Sequence, residues 1–125
     1  MRPVFVAVEG LDGSGGTTQS RLLTEWLNHR GGDALLTKEP SDGPAGVFLQ
    51  EVMAASTESV LGDNVLPFLF AGDRQDHLDR QILPALAKGR AVVTDRYYHS
   101  SLAYQGLSVG LPAVAQLNEG FKAPD

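Results

Sequence analysis

The chain has 125 residues, with an apolar fraction of 42% and a charged fraction of 20%, the profile of one ordinary globular domain and too short for two. Fifteen acidic against ten basic side chains leave a net charge of −5, which argues against broad contact with nucleic-acid backbones but allows a small phosphorylated ligand in a locally basic pocket. The absence of cysteine excludes disulfide frameworks and cysteine-based zinc sites; the apolar run in MRPVFVAVEG is too short for a secretory signal or a membrane span, so the expected location is cytoplasmic.

Pro3 to Val8 (PVFVAV) is a short β-branched apolar run, as expected for a strand buried on both faces of a parallel sheet. The glycine-rich turn EGLDGSGGTTQ follows, then a predicted helix from Thr17 to Arg30 whose inner face is read as Leu22, Leu23, Trp26 and Leu27. Gly31 and Gly32 stop it. ALLT, Ala34 to Thr37, is the second strand, and EPSDGPAG, Glu39 to Gly46, a turn-rich loop. Val47 to Ala55 reads as a short helix. Leu66 to Lys88 reads as a long helical region, with Phe70, Leu78, Ile82, Leu83 and Leu86 inward and Pro84 kinking or interrupting it. AVVT, Ala91 to Thr94, is the third strand and ends at Asp95 and Arg96. The remainder is read as a helix, a loop around Gly106 to Gly110, and a second helix from Ala113.

Strand, glycine-rich turn and helix in this order form an anion site from backbone N–H groups and the helix dipole. The phosphate-loop pattern G-x-x-x-x-G-K-[ST] is met at Gly10, Gly15 and Thr17, but Gly16 stands in the lysine position. The plain alternative is a strand-to-helix turn. The dinucleotide pattern G-x-G-x-x-G fails, because Thr18 occupies the third glycine position after Gly13 and Gly15. His29, His77 and His99 lack metal-ligand spacing and are read as surface or helix-end residues.

Four stretches, in this order and spacing, resemble the thymidylate kinase family: EGLDGSGGTTQ, TKEPSDGPAG (Thr37 to Gly46), LFAGDRQDH (Leu69 to His77) and DRYYHSSLAYQG (Asp95 to Gly106). The resemblance runs the length of the chain and implies transfer of a phosphoryl group from ATP to dTMP. The fold it implies is α/β: a three-layer P-loop NTPase-like parallel sheet with helices on both faces and strand order 2-3-1. The expected organisation is one domain, 1–125, incomplete, and completed by further sequence or a second chain; KAPD is similar to the family's entry into a fourth strand. By this resemblance Gly10, Leu11, Asp12, Gly13, Ser14, Gly15, Gly16, Thr17 and Thr18 bind the ATP phosphates, and Thr17 and Asp95 hold Mg²⁺. Phe70 stacks on the base and Arg74 bonds its edge. Ser101 and Gln105 help to fix it, and Tyr104 lies beneath the deoxyribose. Asp12 holds the 3′-hydroxyl, Glu39 belongs to the acceptor-side E-P pair, and Arg96 takes the dTMP phosphate; Asp12, Asp95 and Arg96 form the catalytic set.

Each of these residues also has a structural reading: Phe70 as core, Arg74 as solvated, Asp95 with Arg96 as a surface salt bridge, and Asp12 as a turn aspartate. Lys38 and Gln50 stand where relatives often carry arginine. Three functions therefore remain in view: a dTMP kinase, a nucleotide-binding or regulatory module without catalysis, and a kinase for another deoxynucleotide. Partners are the small molecules ATP and dTMP and, in a homodimer, a second copy; neither nucleic acid nor membrane is expected.

Overall fold

The computed structural model of the chain describes residues 2–55 and 61–125. Strands β1 (Phe5–Val8), β2 (Ala34–Lys38) and β3 (Ala91–Asp95) form a parallel sheet in the order β1-β3-β2, which is the expected 2-3-1 order. β3 is central, with Val8 and Lys38 level with Asp95 on either side, so the carboxyl ends of all three strands open on one edge.

Strand alternation sends side chains to two faces. Phe5 and Val92 pack with Leu78, Ile82, Ala85 and Tyr97 on one face; Ala34, Ala91 and Val93 pack with Leu27 on the other. The second face is covered by α1 (Gly16–His29). The first is covered by a helical run comprising α3 (Leu66–His77), a π-helical turn over Leu78–Ile82, and α4 (Leu83–Ala87). Helices α2 (Pro44–Ala54), α5 (Tyr98–Val109) and α6 (Leu111–Asn118) complete the described elements. Among the described residues no helix is long and apolar enough to cross a membrane.

Four expectations are corrected. In α1, Leu22 and Trp26 face solvent, and the buried stripe is Ser20, Thr24 and Leu27. Ser20 and Thr24 return their hydroxyls to the Gly16 and Ser20 carbonyls at 2.7 and 2.8 Å, so these small residues sit against the sheet without an unpaired polar atom. Leu83, expected on the inner face of the third helical region, is exposed beside Pro84. The wider π-helical turn absorbs the disruption just before it and rotates the following residues, turning Leu83 outward and Ala85 inward. α2 starts at Pro44, inside the predicted loop, because Gly43 is extended (φ −71°, ψ 171°) and proline is preset for the first helical turn. Finally, no loop forms at Gly106: α5 runs through it to Val109, and the turn is confined to Gly110 at φ 95°.

The outer edge of β1 is met by Asp125, whose N–H donates to the Phe5 carbonyl at 2.8 Å and whose Oδ2 accepts from the Phe5 N–H at 2.9 Å. That Phe5 bond holds the Asp125 carboxyl below its ordinary range.

Candidate functional site

The loop after β1 turns back on itself through Ser14, whose N–H and hydroxyl both donate to the Leu11 carbonyl, at 3.0 and 2.6 Å. Gly13 and Gly15 take φ values of 79° and 97°, which side chains rarely tolerate. The first helical bond of α1 is Gln19 N–H to Gly15 O at 2.8 Å. The N–H groups of Gly15, Gly16, Thr17 and Thr18 therefore have no acceptor within the helix, and among the described residues no side chain caps this end. They open on a hollow of about 360 Å³ lined by every residue of the predicted phosphate loop except Ser14, together with Asp95 and Arg96. Thr17 donates its hydroxyl to Asp95 Oδ2 at 2.7 Å. Two oxygens so placed beside a hollow lined by backbone N–H groups suit Mg²⁺, which takes few protein ligands and completes its shell with phosphate and water. Among the described residues there is no cluster of three or more metal-ligating side chains, so a cation here would depend on its phosphate ligand.

A second cleft, about 300 Å³, adjoins this hollow through Asp12 and Arg96, which line both. Every predicted acceptor-side residue borders it: Asp12 from the loop, Glu39 from the end of β2, Phe70 and Arg74 from α3, Arg96 after β3, and Ser101, Tyr104 and Gln105 from α5. α5 offers one face because Ser101, Tyr104 and Gln105 recur at helical spacing. Pro40, Met53, Tyr97 and Ser100 complete the wall.

Arg96 is a non-glycine residue at φ 75°, a conformation costing about 1–3 kcal/mol that surrounding bonds must hold in place. Its N–H donates to Val8 O at 2.9 Å and its carbonyl accepts from Thr94 Oγ1 at 2.9 Å. The guanidinium bonds Asp12 at 2.6 Å and Ser100 at 3.0 Å, and lies 5.6 Å from the Tyr104 ring. Arg96 thus pairs across the loop with Asp12 rather than with its neighbour Asp95.

Arg74 is 1% exposed, the reverse of the solvated alternative, while Phe70 is half-buried at the cleft wall. Both Glu39 oxygens are engaged, one by Arg74 Nε at 2.8 Å and the other by His77 Nδ1 at 2.9 Å. Gln105 is the opposite case: its Oε1 is buried and has no hydrogen-bond partner among the described residues.

His77, read as a surface or helix-end residue, is the last residue of α3 but is corrected from the surface to the core, 2% exposed. It follows Arg74 by three positions on the inward face of α3, and its ring is bonded at both nitrogens, by Glu39 and by Thr37 Oγ1 at 2.7 Å. His29 stays at the exposed end of α1, and His99 is half-exposed 3.8 Å from Glu9. Gln50 donates to the Pro40 and Ser41 carbonyls at 3.2 and 3.0 Å and does not line the cleft; Lys38 pairs loosely with Asp42 at 3.5 Å.

Sequence reading missed several supports. Glu9 accepts from the Tyr97 N–H at 2.7 Å and from the Ser100 hydroxyl, tying the loop to the start of α5. Asp73 holds Ser41 by N–H at 2.8 Å and by hydroxyl at 2.5 Å, fixing the turn after Pro40. Asn118 bonds Arg74 from α6. The only local signal was an unusual number of polar residues on the inward face of α3.

A parallel sheet with a glycine loop between its first strand and helix, opening on a cleft at the carboxyl ends of the strands, defines a P-loop NTPase-like fold. The family model for thymidylate kinase matches residues 8–125. The chain is 46% identical to a probable thymidylate kinase of Pyrococcus abyssi, over all of this chain and 63% of that protein. It is 40% identical to the thymidylate kinase of Nitrosospira multiformis, over 95% of this chain and 57% of that one. The crystal structure of thymidylate kinase from Ehrlichia chaffeensis superposes with a TM-score of 0.89 at 30% identity, covering all of this chain and 69% of that one. The chain belongs to the thymidylate kinase family, and spans 63% of the length of its Pyrococcus abyssi relative.

Proposed function

We propose that this chain forms the phosphate cradle and acceptor pocket of a kinase that transfers the γ-phosphoryl group of ATP to dTMP, giving dTDP and ADP. The observation that carries the base assignment is the unpartnered Gln105 Oε1, a buried acceptor lining the same cleft as the donor-only guanidinium of Arg74. Buried polar atoms are rarely left without partners, so a ligand donor belongs there. A 4-keto pyrimidine presents C4=O as acceptor and N3–H as donor, matching Arg74 and Gln105 in turn. Cytosine presents the reverse. Phe70 offers a ring for stacking and Tyr104 crowds the sugar.

Arg96 lines both cavities and would hold the acceptor phosphate at the boundary between them. An acceptor phosphate oxygen then attacks the γ-phosphorus as the bond to the bridging oxygen of ADP breaks. Catalysis is by positioning and charge neutralisation, with no covalent role for the protein. Thr17 and Asp95 would hold Mg²⁺, which supplies positive charge to the phosphates. The free N–H groups of residues 15–18 would orient the donor chain, and Asp12 would keep Arg96 in place while meeting the sugar.

Gly16 supports a second reading, a nucleotide-binding module without turnover. The missing ammonium removes a charge-assisted bond worth about 1.5–3 kcal/mol, a loss of roughly tenfold to a hundredfold in rate if it acts at the transition state. Calorimetric titration with dTMP, dUMP, dCMP and dGMP, beside a coupled ADP-release assay, tests both. The pocket assignment requires dTMP to bind best and dCMP far more weakly; equal binding of dCMP overturns it. Binding without ADP release selects the module, whereas release at ordinary kinase rates excludes it.

A further inference from the structure

Arg74 is a buried cation, and an uncompensated one would cost several kcal/mol. Its partners are unusually complete. Nε donates to Glu39, Nη1 to Asn118 Oδ1, and Nη2 to Ser101 Oγ at 3.2 Å. The rings of Tyr97 and Phe121 lie 5.3 and 5.9 Å from the guanidinium carbon. A guanidinium carries five N–H donors in one plane. Three are bound by protein, leaving one on each terminal nitrogen without a partner among the described residues.

Two of the groups that determine this arrangement lie outside the cleft. Asn118, on α6, is 5% exposed and is itself anchored by donation to the Val114 carbonyl at 2.9 Å. His77 stands behind Glu39, holding the oxygen that Arg74 does not use. Its other nitrogen meets Thr37, whose hydroxyl donates to Gln81 Oε1 at 3.0 Å. With His77 in place the Glu39 carboxylate cannot turn without breaking a buried bond. With Asn118 in place the guanidinium plane cannot swing about Nε.

We propose that His77 and Asn118 are positioning residues that lock the Arg74 guanidinium with its two remaining N–H bonds toward the base, and thereby set the preference for a 4-keto over a 4-amino pyrimidine. This rests on the base assignment given above. Selectivity comes from angle as much as charge: a planar donor rejects an amino group only while it cannot rotate away. Ser101 and Glu39 alone leave that rotation open, because Ser101 touches one terminal nitrogen and Glu39 only Nε.

The test uses the chain as it stands, with calorimetric dissociation constants for dTMP and dCMP and a thermal melt for each variant. Asn118→Leu and His77→Leu are expected to weaken dTMP binding by about tenfold or more, the scale of one charge-assisted bond, and to shrink the dTMP-to-dCMP ratio by a similar factor. Asn118→Asp keeps the acceptor and is expected to keep the ratio. A lowered melting temperature with an unchanged ratio in both leucine variants overturns the proposal, since that is a structural role only. A wild-type chain that binds dTMP no better than dCMP overturns the base assignment instead, and this proposal with it. Should the leucine variants fail to fold, the Arg74 Nε–H resonance of the wild type decides. Slow solvent exchange, with a shift on adding dTMP and none on adding dCMP, supports the lock; fast exchange refutes it.

Discussion

Gly16→Lys weighs the donor side of the site directly. A Cβ at residue 16 would meet Asp95 Oδ1 at 3.4 Å, an ordinary contact with the end of a side chain, so the substitution fits. The effect on folding is nearly balanced. Replacing glycine at the first residue of α1 gains up to about 1 kcal/mol, while a cation at a helix N-terminus costs about 0.3–1 kcal/mol. The melting temperature should therefore move little. An ammonium that reaches the β- and γ-phosphates adds one charge-assisted bond, about 1.5–3 kcal/mol net. Asp95, already bonded to Thr17, withdraws part of that by pairing with the new lysine. At about 1.4 kcal/mol per tenfold, a non-hydrolysable ATP analogue with Mg²⁺ should bind roughly ten- to a hundredfold more tightly. AMP, which lacks the outer phosphates, should bind unchanged. The assay is calorimetric titration of both proteins with both ligands. A gain below about threefold for the ATP analogue, in a variant that melts like the wild type, refutes the reasoning. The loop would then not cradle the outer phosphates.

Further outcomes follow from single contacts. Gln105→Leu removes the unpartnered acceptor and should cost dTMP about tenfold in affinity while leaving dCMP nearly unchanged, read by the same calorimetry. Gly46→Ala would drive a Cβ to 2.0 Å from the Ser41 carbonyl oxygen, a backbone clash; urea unfolding should show a loss of about 3 kcal/mol or more, or no folding. Burial pushes the Tyr97 phenol well above its ordinary value, and the Glu39 carboxylate adds to this. The folded chain keeps that proton where the unfolded chain has lost it. This contribution is whole below pH about 10 and is lost as pH rises toward the higher folded value, by up to about 1.4 kcal/mol per pH unit. Tyr97→Phe gives up the bond to the Lys122 carbonyl but should flatten the alkaline slope in urea unfolding from about pH 10 upward; identical slopes there would contradict the assigned cause.

The fold was legible wherever a local rule and the tertiary environment agreed. PVFVAV and AVVT are short apolar runs rich in valine, which suit strands of a parallel sheet; β3 is buried along Ala91 to Thr94, whereas in the edge strand β1 only Phe5 is fully buried. The loop was legible because positive φ at Gly13 and Gly15 admits few residues other than glycine. α1 misled at Leu22 and Trp26 because apolar spacing marks a stripe without saying which neighbour is narrow enough to need serine and threonine. Residues 56–60 fall outside the described part of the chain, and the end of the predicted Val47 to Ala55 helix adjoins them.

For the site, spacing within one element was readable. Phe70 with Arg74, and Ser101 with Tyr104 and Gln105, follow from helical periodicity. Contacts between elements were not, because a hydrogen bond such as that from Arg74 to Asn118 joins residues 44 apart, and nothing local to either encodes the other. His77 shows the difference most clearly. As a sequence letter it is a polar residue near a helix end; its burial and its two partners exist only once β2 and α3 pack side by side. The sequence by itself determined the strands, the glycine-rich loop and the missing ammonium at Gly16, since these depend on backbone preference and on which atoms a residue lacks. Tertiary structure alone decided which donors and acceptors stay free for a ligand, since that depends on what every neighbouring element has already bound.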